Sequence, residues 1–121
     1  MTSLIDEIRA GGAAAPDPDF PHAPEGWTRA QALERAREEG LQLEDEHWTA
    51  LRALQEYFAR HEPTAVNLRE LHDALDEKFH RQGGIRRLYL LFPGGPVAQG
   101  CRLAGLKAPA GATDRGFGSV A

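Results

Sequence analysis

The sequence predicts a mainly α-helical protein: a small helical bundle with at most a short N-terminal β-hairpin and a flexible C-terminal arm. Apolar residues recur at helical spacing through the middle of the chain, and glycines and prolines divide that region into short segments. The chain after Gly105 is rich in alanine, proline and glycine. Since 121 residues suit one compact domain, we expect an N-terminal extension (1–16), a helical domain (17–106) and a mobile C-terminal arm (107–121).

The N-terminal part is predicted to contain little regular structure. Residues 3–10 have room for one or two helical turns before a glycine- and alanine-rich spacer. Three prolines follow within residues 17–26, so this stretch is irregular or at most a short edge hairpin, because proline cannot donate to a strand ladder. Phe20 and Trp27 are the residues expected to anchor this part to the core.

Three helices are predicted in the middle of the chain. The first begins with Thr28 as N-cap and ends near Glu39, before Gly40. The second begins near Glu44, where a run of acidic residues suits the positive end of the helix dipole, and it ends before Pro63. The third covers residues 67–82. The apolar residues of the last two that we expect in the core are Trp48, Leu51, Leu54, Phe58, Leu71, Leu75 and Phe79.

Two short segments complete the predicted bundle. Residues 85–92 are too few for periodicity to decide between helix and strand, and we favour a helix because the neighbouring elements are helices. The sequence FPGGP (92–96) predicts a sharp turn, and Pro96 suits the first position of a last helix that ends at Gly105.

Charge and cysteine content exclude several classes of protein. The net charge is −4, so a nucleic-acid surface would have to be a local patch. The single cysteine cannot form an internal disulfide, which excludes a secreted disulfide scaffold. No apolar run has the length of a signal peptide or a membrane span. We therefore expect a cytoplasmic protein with no membrane partner.

The single cysteine, Cys101, has two interpretations. On the predicted last helix it shares a small apolar stripe with Val97 and Ala104, which favours a packing residue. Its position near the C-terminal end of that helix also favours a raised thiol pKa. The opposite interpretation, a reactive thiol, depends on basic residues that would stabilise the thiolate. The candidates for this supporting role are Arg102, Lys107, Arg86 and Arg87.

The remaining polar patterns give weak indications. His72, Asp76 and His80 share one helix face, but a rise of roughly 12 Å separates the two histidines, so we expect no metal site and no cofactor. The FPGGP turn lacks the spacing of a phosphate-binding loop. A basic cluster in the C-terminal third can be a nucleic-acid face, a docking face for an acidic protein or an ordinary charged surface. Its members are Arg81, Arg86, Arg87, Arg102 and Lys107, with Tyr89 and Phe92 between them.

Two segments resemble a known family. LEDEHWTALRALQEYF (43–58) and LYLLFPGGPVAQGCRLAGLKAP (88–109) are similar to the DsrC/TusE family of sulfur-relay proteins (dissimilatory sulfite reductase gamma-subunit-like), and the resemblance extends over about residues 17–112. It implies a small helical bundle with a short N-terminal β-hairpin and a mobile arm. An arm cysteine in such proteins accepts a persulfide and passes it between partners, in tRNA thiolation or in dissimilatory sulfur metabolism.

The resemblance also indicates where this chain differs. Cys101 matches the family's upstream cysteine, whereas the position of the principal carrier cysteine is occupied by Ala112. We therefore expect a sulfur-trafficking protein, not an independent enzyme, that docks on sulfurtransferase or sulfite-reductase-like proteins with Cys101 as the only possible carrier thiol. The alternative is a regulatory or docking module that no longer carries sulfur and binds the same partners or nucleic acid.

Overall fold

The computed structural model describes residues 17–112 and contains five α-helices and two short 3₁₀ helices in that range. Within these residues there is no β-strand, so the mainly helical fold class is confirmed. Residues 3–10, where helical turns were predicted, and residues 113–121 of the arm lie outside the described residues. The α-helices are α1 (Arg29–Glu38), α2 (Asp45–Ala59), α3 (Leu68–Lys78), α4 (Gly84–Leu91) and α5 (Ala98–Ala104), and the 3₁₀ helices are Pro63–Ala65 and His80–Gln82.

Polar side chains start the first three helices, and Thr28 is the N-cap that the sequence predicts. Thr28 Oγ1 accepts a hydrogen bond from the backbone N–H of Gln31, and the Asn67 side chain accepts one from Glu70. At the start of α2, Glu44 caps the helix and its backbone N–H donates to a side chain three residues later, that of His47. These bonds satisfy amide groups that have no partner inside the helix.

The predicted third helix is wrong in its extent. The α-helix ends at Lys78, and residues 80–82 form a separate 3₁₀ turn. Gly83 and Gly84 both have positive φ, which lets the chain reverse and begin α4 against α3. A Cβ atom on Gly84 would lie 2.3 Å from Asp76 Oδ1, and that carboxylate accepts the N–H of Ile85 at 2.7 Å. The close approach requires glycine at position 84, where the chain turns from α3 into α4.

The N-terminal hairpin is not formed in the described residues. Backbone N–H groups of Phe20, Ala23 and Trp27 instead donate to carbonyl groups three residues earlier, which produces successive turns. Phe20 is buried, as predicted, and the half-buried Trp27 donates its indole N–H to the carbonyl of Leu103 at 2.8 Å. The proline-rich segment is thus held against the last helix.

The core lies where α5 packs against α2 and α1, while α3 packs against α4. The prediction that Leu51, Leu54, Leu71, Leu75 and Phe79 are buried is confirmed. Two aromatic residues that were also predicted to be buried, Trp48 and Phe58, pack against the core but keep part of their surface exposed.

The contact between α2 and α5 depends on one glycine. A Cβ atom built on Gly100 would lie 2.7 Å from Leu54 Cδ1, so a larger residue would push the helices apart.

Beyond α5, Leu106, Ala108 and Ala112 pack against the core. The described part of the predicted arm therefore follows the body of the protein. No helix within residues 17–112 has the length and apolar character needed to span a membrane.

Candidate functional site

The FPGGP turn and the helix after it place Cys101. The N–H of Gly95 donates to the carbonyl of Phe92 at 2.8 Å, and φ of Gly95 is 109°. The predicted helix start at Pro96 is early: α5 begins at Ala98, with Val97 as its N-cap. Cys101 follows in the middle of this seven-residue helix.

The Cys101 thiol is fully buried in the core, with 0% of its surface exposed. Its backbone N–H donates to Val97, and its carbonyl accepts from Leu106 at 2.8 Å. Burial raises the pKa of the thiol to about 12, because the thiolate would lose its contact with water. In this conformation the thiol is protonated at neutral pH, and the sulfur is closed off from any reagent.

A buried carboxylate, Glu39, holds the helix that carries Cys101. It accepts bonds from Arg102 Nε at 3.0 Å and Nη2 at 2.8 Å, and from Gln99 Nε2 at 2.9 Å. Gln99 Oε1 in turn accepts the N–H of Gly94 in the FPGGP turn at 2.9 Å. We call these four residues the Glu39 network. It joins the end of α1, the FPGGP turn and α5.

Sequence reasoning missed two members of this network, Glu39 and Gln99. They are separated by 60 residues, and no local pattern pairs them. Arg102 was expected to stabilise a Cys101 thiolate, but its guanidinium lies on the Glu39 carboxylate. Within the described residues, the Cys101 thiol forms no hydrogen bond.

The other basic residues that were expected to support Cys101 have different surroundings. Arg87 pairs with Glu46 of α2, and this pair lowers the pKa of that carboxyl group. Arg86 is exposed on α4, and Lys107 is exposed beside an open cavity. In the described conformation these side chains line other surfaces, so a supporting role at Cys101 would require a rearrangement.

His47 connects α2 to the chain just before the FPGGP turn. Its Nδ1 accepts the Glu44 N–H, so Nε2 carries the proton and donates to the carbonyl of Leu91 at 2.8 Å. The ring packs edge-on against Phe92, with 5.1 Å between centroids. His47 had no partner visible in the sequence, and the structure assigns it a buried positioning role.

The histidines of α3 and the following turn take separate roles. The His72 ring contacts Tyr89, with 6.3 Å between centroids, and His80 is exposed in the 3₁₀ turn. Asp76 accepts the N–H of Ile85 at the start of α4. No group of potential metal ligands occurs within residues 17–112.

One exposed stripe follows α4 into the FPGGP turn. Arg86, Leu90 and Pro93 are exposed along it, and 72% of the surface of Leu90 is open to solvent. Tyr89 is half-buried beside them. Phe92 was expected on the same face, and that expectation is wrong, because its ring is fully buried under His47. The stripe combines a positive charge with apolar surface, as protein-docking faces do.

Comparison with known proteins gives concordant matches. Residues 14–112 match a protein-family model described as "DsrC like protein". A "Sulfurtransferase TusE" from Salmonella paratyphi A is 38% identical over 84 residues, covering 69% of this chain and 76% of that protein. The protein of the same name from Escherichia coli K12 is 36% identical over the same share of each chain.

A solved structure also matches. The NMR structure of Allochromatium vinosum DsrC is similar, with a TM-score of 0.59 and 37% sequence identity. The match covers 70% of this chain and 76% of that one. It extends the likeness from sequence to fold.

Proposed function

This chain belongs to the DsrC-like family, and from that premise we propose that it is a sulfur-trafficking protein that docks on sulfurtransferase or sulfite-reductase-type proteins. The observation that carries the proposal is the extent of the match. It runs from residue 14 to residue 112, and thus includes the FPGGP turn, α5 with Cys101, and the described part of the arm.

Cys101 is the carrier thiol in this proposal, because the chain has no other cysteine. Its thiolate attacks the outer sulfur of a donor persulfide, R–S–SH, forming a new S–S bond as the donor S–S bond breaks. The products are Cys101–S–SH and the donor thiolate R–S⁻, so no external oxidant is needed. The persulfide then passes to the next thiol by the same exchange.

The buried thiol makes this transfer conditional on movement. The sulfur is inaccessible while the Glu39 network holds α5 in place. Docking of a partner would therefore have to move α5 or the segment after it, exposing Cys101 and lowering its pKa through contact with water. A carrier that opens only on its partner keeps a reactive sulfur away from unrelated thiols.

The stripe of Arg86, Leu90 and Pro93 is the docking face in this proposal. Leu90 supplies an apolar anchor, and Arg86 suits an acidic group on the partner. The stripe ends at the turn that leads into α5, so a partner bound there would lie next to the element that has to move.

Intact-mass measurement tests the proposal. The purified chain is incubated with glutathione persulfide, alone and with a candidate sulfurtransferase, and Cys101→Ser is the control. We expect one added sulfur atom on the wild-type chain when the sulfurtransferase is present, and none on Cys101→Ser. A chain that binds the partner but never gains sulfur would instead be the docking module that no longer carries sulfur.

A further inference from the structure

We propose that the cavity between the end of α2, the loop after it and residues 105–110 binds a small amphipathic anion: a molecule with an apolar body, a hydrogen-bond donor and one negative charge. The cavity has a volume of about 900 Å³, within the range of small-molecule sites. Its walls include Phe58, Val66, Leu106 and Pro109. The proposed sulfur transfer places no ligand in this cavity, so binding there can be tested without any sulfur transfer.

The walls select an apolar body. Phe58 and Leu106 are only partly buried, and the surface they keep open lines the cavity. Phe58 packs against the core, as its helical spacing indicates, yet part of its surface stays exposed at the cavity. An apolar ligand would bury this surface, which is favourable at roughly 25 cal/mol for each Å² removed from water.

The charges around the cavity select an anion. The chain has 18 acidic and 14 basic residues, but no aspartate or glutamate lines this cavity. Lys107 and His22 are its ionisable residues, and Lys107 forms no salt bridge within the described residues. By contrast, the cavity beside α1 is lined by Glu34 and Glu38. A negative group on the ligand would therefore meet Lys107 without a competing carboxylate in the lining.

Gln55 is the reason why the proposed ligand carries a hydrogen-bond donor. Its Nε2 donates to the carbonyl of Ala104 at 3.0 Å, which fixes the orientation of the amide. Its Oε1 is buried and has no hydrogen-bond partner within the described residues. Gln55 forms part of the cavity wall, so a ligand N–H or O–H group would supply the donor that this oxygen lacks.

Two matched dyes test the site by fluorescence titration. The first, 8-anilino-1-naphthalenesulfonate, has aromatic rings, a secondary amine and a sulfonate. The second, N-phenyl-1-naphthylamine, has the same rings and amine but no charge. We expect the sulfonate dye to bind one site on the folded chain with a Kd below about 100 µM, as the usual affinity per atom of such ligands allows.

Three variants locate the binding. Ala59→Trp, at an exposed position of the lining, fills the cavity and should abolish saturable binding of both dyes; Ala110→Trp is a second variant of the same kind. Leu33→Trp, exposed on α1, is the control and should change neither affinity. Lys107→Glu should weaken the sulfonate dye about fivefold or more and change the neutral dye less than twofold.

The proposal is overturned by any of three results. The variants count only if their urea-unfolding midpoint equals that of the wild type. One is the absence of saturable sulfonate-dye binding below 1 mM, which includes the case in which the chain's own residues 1–16 or 113–121 fill the cavity. Another is binding that survives both tryptophan variants. The third is an equal effect of Lys107→Glu on the two dyes, which would remove the selection for an anion.

Discussion

Glu39 and Arg102 form a two-point ion pair across 63 residues of sequence, at 3.0 and 2.8 Å. The Glu39 side chain is 3% exposed and that of Arg102 is 25% exposed. Gln99, one turn earlier on α5, donates to the same carboxylate. Glu39 therefore helps to hold the helix that contains Cys101, together with the bonds from Trp27 to Leu103 and from Gln55 to Ala104, and a movement of that helix away from α1 would break the ion pair.

Removal of the carboxylate in Glu39→Ala should make Cys101 accessible and destabilise the fold. The Arg102 guanidinium loses the Glu39 carboxylate while three quarters buried, so we expect a loss of about 2–4 kcal/mol in the free energy of unfolding. The free energy needed to open α5 falls by a similar amount. The rate of Cys101 alkylation by iodoacetamide in the folded state should therefore rise at least tenfold. Urea unfolding and intact mass measure the two effects.

Glu34→Ala is the matched control for that variant. Glu34 pairs with Arg37 on the exposed face of α1, so its removal should change stability by less than about 0.5 kcal/mol. Alkylation of Cys101 should stay at the wild-type rate. Equal alkylation rates in Glu39→Ala and Glu34→Ala would show that the Glu39 network does not control access to the thiol.

The stability of the wild-type chain should depend on pH through Cys101. Burial raises the thiol pKa from an ordinary value of 9.0 to about 12 in the folded state. The unfolded chain therefore releases this proton first, and the stability due to the neutral thiol is fully present below pH 9 and is lost as the pH rises toward 12. Cys101→Ala, compared by urea unfolding between pH 8 and 11, should lack this component of the loss. Parallel pH curves for the two proteins would contradict a buried, protonated thiol.

The helices could be predicted because their signals are local. The N-caps Thr28 and Asn67 act on amides three residues away, and the apolar stripe through Leu51 and Leu54 repeats at helical spacing. The extent of the third helix could not be predicted from local signals, and the turn that follows it brings Gly84 close to Asp76. That contact exists only once α4 has packed against α3.

The arrangement around Cys101 could be predicted only in part. The small apolar stripe of α5 indicated a packing residue, and the thiol is indeed buried. The partner of Arg102 could not be found, because a carboxylate at position 39 is one of 18 acidic residues with no pattern to select it. The same holds for His47, whose acceptor, the carbonyl of Leu91, lies 44 residues away.

The contact of Gly100 with Leu54 predicts a coupled pair of mutations. Gly100→Ala should destabilise the protein by about 1–3 kcal/mol, because the added methyl group would lie 2.7 Å from Leu54 Cδ1. Leu54→Ala alone should cost about 2–5 kcal/mol through lost burial and a cavity. In the double variant the methyl group occupies part of that cavity, so the total loss should be smaller than the sum by at least about 0.5 kcal/mol. Additive losses in a double-mutant cycle of urea unfolding would show that the helices approach elsewhere.

Leu90→Ser should weaken docking without affecting the fold. Leu90 is 72% exposed, so its replacement should change the free energy of unfolding by less than about 0.5 kcal/mol. Leu90 is the apolar anchor of the docking stripe, so the replacement should raise the Kd of the complex with a sulfurtransferase partner about tenfold. Calorimetry measures this Kd. Leu33→Ser on α1, also exposed, is the control. If both variants bind the partner as the wild type does, the docking face lies on another surface.

The basic cluster should not bind nucleic acid tightly. Arg87 is paired with Glu46 and Arg102 with Glu39, so two of its five cations are neutralised within the fold. The rest act in a chain of net charge −4. We expect duplex DNA and tRNA to bind no tighter than about 10⁻⁴–10⁻⁶ M at physiological salt, the range of non-specific contacts. Fluorescence anisotropy at several salt concentrations measures this, with Arg86→Glu as the variant. A sub-micromolar, sequence-selective complex that Arg86→Glu abolishes would make the domain a nucleic-acid-binding regulator, in place of a sulfur carrier.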